Sequence, residues 1–92
     1  MRIEDYLSSL NITQEGIYND DSYIIDLSNS DAYGRMFTKL DSSEDLELLD
    51  KNQVITEEGS SLIYESKSYP LILNLISDWE SDRYQLIVNE IN

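Results

Sequence analysis

The chain has 92 residues, with 19 acidic side chains against 6 basic ones and a formal net charge of −13 at pH 7. It contains no Cys and no His, which excludes disulfides, thiolate nucleophiles, Cys-based zinc sites, imidazole bases and Ser-His-Asp triads. Apolar residues make up 40% and recur in patterned runs, unlike a disordered acidic chain, so one domain over residues 1–92 with one modest core is expected.

In chain order, Ile3, Tyr6, Leu7 and Leu10 fall at i, i+3, i+4 and i+7, the stripe of a short amphipathic helix. Glu4 and Asp5 lie in its first turn, where the helix dipole favours negative charge. Residues 11–16 then form an exit loop. Ser22 to Leu27 is β-branched and aromatic behind the polar cluster Asn19-Asp20-Asp21, which predicts a strand. After the turn formers Ser28 to Asp31, residues 33–40 alternate: Tyr33, Arg35, Phe37 and Lys39 on one face, Gly34, Met36, Thr38 and Leu40 on the other. That alternation predicts a hairpin of 22–27 with 33–40. A second hairpin is expected between 53–56 and 61–65, turning through Glu57-Glu58-Gly59-Ser60 with Gly59 free to take positive φ. Between the hairpins, Ser42 and Asp45 resemble a capping box for a short helix through Leu49, while Leu46 to Leu49 also fits a short strand.

The last 24 residues carry helical spacing. Ser68 is placed to cap, Pro70 falls in the first turn, and Ile72, Ile76, Trp79, Arg83, Leu86 and Glu90 follow one row. A long helix is expected, continuous or broken near Glu80-Ser81-Asp82; the rival reading makes 71–77 a buried strand. The fold class is therefore α+β: an antiparallel sheet of three to five strands, a short N-terminal helix and a long C-terminal helix, with the helices on one face. The apolar run Leu71–Ile76 is far short of the roughly 20 residues of a membrane span, and Met1 to Asp5 shows no apolar signal region. A cytoplasmic location is expected.

Catalytic and metal chemistry find little footing. Calcium loops begun at Asp41 or Asp26 fail, because Leu46 or Asp31 stands where Gly is required. Asp26, Glu65 and Asp78 are the acids set among apolar residues, and each is expected on the solvent side of its element. The three glycines are isolated, so there is no phosphate loop. No enzyme activity, metal or cofactor is expected.

Recognition remains. A surface at −13 repels nucleic acid and anionic membrane, so neither is expected as a direct partner; a basic protein is. The densest acidic segment is 41–58, with Asp41, Glu44, Asp45, Glu47, Asp50, Glu57 and Glu58 against Lys51 alone. Carboxylates on alternate strand residues, or at i and i+4 of a helix, repeat every ~6–7 Å and can stand in for the closely spaced phosphates of a nucleic acid. Seven tyrosines are the second unusual feature. Tyr6 and Tyr84 are assigned to the core, and Tyr33 and Tyr64 to the contact surface, where amphipathic aromatics anchor interfaces.

In size, charge and lack of Cys and His, the chain resembles the small acidic phage-encoded inhibitors of bacterial defence, such as anti-CRISPR proteins and uracil-DNA glycosylase inhibitors. The resemblance is one of overall character and covers no motif. It implies stoichiometric binding to a nuclease or CRISPR effector in its nucleic-acid groove. The alternative is an immunity protein or antitoxin that neutralises a basic toxin.

Overall fold

The computed structural model describes residues 2–49, 54–56 and 59–91, and for 54–56 the backbone only. Two helices, α1 (Ile3–Ser9) and α2 (Ser30–Asp41), accompany seven strands: β1 (Ile17–Asn19), β2 (Ser22–Leu27), β3 (Leu46–Leu48), β4 (Val54–Thr56), β5 (Gly59–Ser66), β6 (Leu71–Asp78) and β7 (Arg83–Glu90). The strands form one antiparallel sheet in the order β1-β2-β7-β6-β5-β3, with β4 sharing the outer edge of β5. Both helices lie on one face, in a single core with Tyr23, Ile25, Leu73, Leu75, Leu86 and Val88.

Helix α1 lies where its apolar stripe predicts, burying Ile3, Tyr6 and Leu7. Strand β2 and the pairing of β4 with β5 also follow the sequence pattern, with Val54 opposite Ser61. The sheet is larger than the expected three to five strands, and the structure overturns several other expectations.

Residues 33–40 are not the return strand of a hairpin but the body of α2. Asn29 caps it by accepting the Ala32 N–H at 2.9 Å. The buried residues Ala32, Met36 and Leu40 are four apart, a spacing that satisfies period 2 and the helical i, i+4 rule equally. The alternation was therefore ambiguous, and the cap decides for helix.

The long C-terminal helix does not exist. Residues 71–78 and 83–90 are the hairpin β6–β7, paired from Leu71 opposite Glu90 to Asp78 opposite Arg83. Alternate residues face the core: Leu71, Leu73 and Leu75 on β6, Tyr84, Leu86 and Val88 on β7. Asp78 fixes the turn by accepting the N–H groups of Glu80 and Ser81, while Asp82 takes φ 52°. Ser68 and Pro70 cap no helix. The Ser68 hydroxyl bonds Asp45, and the Pro70 carbonyl accepts the Ile91 N–H at 2.8 Å. Residues 46–48 take the strand alternative as β3 rather than the short helix.

Gly59 takes no positive φ; it lies inside β5, where it is needed for close approach. A methyl group built there would sit 2.0 Å from the Ser77 carbonyl oxygen and 3.2 Å from the Asp78 Cα. Gly59→Ala must push two strand backbones apart. A loss of about 2 kcal/mol is expected, measurable as a lowered urea midpoint; an unchanged midpoint would show that the β5–β6 approach is looser than this.

Candidate functional site

The acidic segment runs from the end of α2 into β3, and its members divide by role. Asp41, Glu44 and Glu47 are exposed. Glu47 lies directly opposite Glu65 across the β3–β5 pair, a like-charge juxtaposition that costs stability in isolation. Asp45 is different. Its Oδ2 accepts the Tyr6 hydroxyl at 2.5 Å and the Ser66 hydroxyl at 2.7 Å, and its Oδ1 accepts Ser68. These bonds, Ser68 first and Tyr6 next, hold its carboxyl below the ordinary Asp value. Asp45 therefore ties α1 and the β5–β6 connection to the start of β3, rather than presenting charge to a partner. Asp50, Glu57 and Glu58 lie outside the described residues.

Neither tyrosine assigned to the contact surface is a free anchor. Tyr64 is 1% exposed, because its place in β5 aligns it with Leu73 of β6 on the covered face. Its hydroxyl has no hydrogen-bond partner among the described residues, and desolvation pushes its pKa up to about 12. Tyr33 is half-buried, packed at 5.6 Å against the Tyr84 ring, with its hydroxyl 3.3 Å from Ser60 Oγ. The core assignments of Tyr6 and Tyr84 hold.

The electrostatics are those of an unneutralised surface. Among the described residues the sole ion pair is Arg2–Glu4, at 2.9 Å. Arg35 and Lys39 line the outer side of α2, where the Lys39 ammonium donates to the Asn11 carbonyl at 2.8 Å, while exposed Lys67 follows β5 beside Asp45 and exposed Arg83 stands opposite Asp78. Asp41, Glu44 and Glu47 are thus exposed acids with no ion pair among the described residues.

Two features escaped the sequence reading. Trp79 is 52% exposed at the β6–β7 turn, between Asp78 and Glu80, a large aromatic set in an acidic loop. The second is the sheet face opposite the helices, where Ile24, Ile63, Ile72, Ile76 and Ile87 are only partly buried. Their signal was present as the odd-even alternation of β6 and β7, masked because both faces carry branched aliphatics. No described helix is long and apolar enough to cross a membrane, and no acidic cluster among the described residues is arranged to hold a metal ion. Comparison with protein families, characterised proteins and solved structures finds no match.

Proposed function

We propose that this protein is a stoichiometric inhibitor that occupies the basic nucleic-acid-binding groove of a nuclease or other nucleic-acid enzyme, its carboxylates taking the place of phosphates. The observation that carries this reading is the run of exposed acids Asp41, Glu44 and Glu47, joined by Glu65 across the strand pair, with no cation paired to any of them among the described residues. Leaving like charges adjacent and unpaired is unfavourable in the free protein and becomes favourable once a basic surface covers them. Asp45 fixes the conformation of the segment and stays outside the contact.

The test is affinity capture on the immobilised chain from a lysate of the cells in which its gene is expressed. A nucleic-acid enzyme should bind at about 0.1 M salt, be displaced by its own DNA or RNA, and elute before about 1 M, where the screening length falls to about 3 Å. The triple variant Asp41→Lys, Glu44→Lys, Glu47→Lys should lose at least about tenfold in capture, since each close charge pair at an interface is worth about 1.5 kcal/mol or more. Its melting temperature should be no lower than that of the unaltered chain, because Glu47→Lys sets an opposite charge against Glu65 in place of a like one. Capture that withstands both high salt and the triple variant would refute the proposal.

A further inference from the structure

We propose that the face of the sheet that no described helix covers is a second docking surface, and that its occupant is an amphipathic helix of the partner carrying Lys or Arg on both sides of an apolar stripe. The proposal rests on the functional reading above for the partner's basic character; the face itself is a property of the fold.

On β6, Asn74 lies between Ile72 and Ile76 along the strand, and between Ile87 of β7 and Ile63 of β5 across it. Ile24 of β2 extends the cross-strand row beyond Ile87. From Ile24 to Ile63 the row crosses three strand spacings, about 14 Å, and Ile72 to Ile76 spans about 13 Å. That matches two to three turns of helix at about 5.4 Å each. Single part-exposed isoleucines are unremarkable, whereas five grouped around Asn74 on one face form an apolar patch of the kind that serves as an interaction site. The covered face shows what closes this sheet: α1 and α2 bury their apolar stripes against it.

Three pairs of polar side chains on the open face are already bonded to each other. Ser61 donates to the Asn74 side-chain oxygen at 2.8 Å, the Gln85 amide donates to Asp26 at 2.8 Å, and Ser22 donates to Asn89 at 2.5 Å. Because these groups bring partners with them, covering the face carries a smaller desolvation penalty than burying free polar groups. Four acids and one base border the isoleucines, Asp78 facing Arg83 in the row beyond Ile76. Glu65 and Glu47 continue the row of Ile72, and Asp26 lies in the row of Ile76. A second copy of this chain would bring an equally acidic rim and a further charge of −13. A helix flanked by Lys and Arg would meet Glu47 and Glu65 at one corner and Asp26 and Asp78, which outnumber Arg83, at the other.

The test uses the full chain with its isoleucine methyls followed by NMR, and a synthetic Leu/Lys peptide of about 14 residues, with Leu at i, i+3, i+4 and i+7. The amphipathic peptide should shift the methyls of Ile24, Ile63, Ile72, Ile76 and Ile87 while leaving that of buried Ile12 in place. A scrambled peptide of the same composition should not. The double variant Ile72→Thr, Ile87→Thr keeps β-branched residues in both strands, and it should weaken peptide binding at least tenfold. Equal shifts from the scrambled peptide, shifts confined to residues outside this face, or a dimer in sedimentation with these methyls at its interface would each overturn the proposal. The peptide experiment on the unaltered chain needs no variant to fold. Failure of the functional reading shows separately, in salt-resistant capture by the Asp41, Glu44, Glu47 variant.

Discussion

Replacing Leu86 by Ala is expected to remove about 3–5 kcal/mol of unfolding free energy. Leu86 is 0% exposed at the middle of β7, and β7 lies between β2 and β6 in the sheet. Its register partners, Ile25 and Leu75, are themselves fully buried. The deleted atoms therefore leave a void that neither a neighbouring strand nor a helix can fill without moving its own buried side chains. A domain of this size has about 5–13 kcal/mol in total, so this one truncation consumes a large share. Urea unfolding should show a lower midpoint with the slope unchanged. The adjacent Ile87→Ala, on the open face, is the internal control and should cost no more than about 1–2 kcal/mol, since less area leaves water. Equal losses at 86 and 87 would contradict the assignment of a covered and an open face.

The second large effect is expected at Asp45. In Asp45→Ala, Tyr6, Ser66 and Ser68 lose their common acceptor. Tyr6 and Ser66 are buried, so their hydroxyls keep the desolvation penalty without the bond, and a loss of about 2–4 kcal/mol is expected. The same carboxylate sets a pH dependence. Its folded-state pKa lies below its unfolded value, so the stabilisation is complete above the unfolded pKa of about 3.9 and is lost as pH falls through the folded value. Asp45→Asn should flatten that part of the acid limb while retaining one acceptor oxygen. Urea midpoints of both proteins between about pH 2 and pH 6 decide the matter; parallel curves would remove Asp45 from the account. On the alkaline side the sign is opposite. Desolvation pushes Tyr6 and Tyr64 up to about 12, so stability present below pH 10 should fall as pH rises from about 10 towards 12.

These two residues also show what periodicity can and cannot resolve. Tyr6 and Leu7 were legible as core because an amphipathic helix has one reading: apolar residues at i, i+3 and i+4 have no strand equivalent. Leu86 was legible as apolar but was placed in the wrong element. In 71–91 both faces carry aliphatic residues, and a segment apolar on both sides keeps neither period cleanly. The alternation over 33–40 failed for the converse reason, since Ala32, Met36 and Leu40 fit both periods. Asp45 could not be told from Glu44 and Glu47 by sequence. All three are acids in one short run, and the distinction depends on hydroxyls 21, 23 and 39 residues away.

What the sequence by itself determined is what depends on composition and on local rules: the net charge of −13, the exclusion of His and Cys chemistry, α1, strand β2 and the pairing of β4 with β5. Tertiary structure alone decided the rest. It made 71–90 a hairpin at the centre of the sheet, because β2 and β5 supply the flanking ladders that satisfy its backbone. It also turned Asp45 inward and left the isoleucine face open, because which side of a strand is covered depends on where distant helices pack. The period of 2 fixes that neighbouring residues differ in face, and only the packed chain fixes which face meets water.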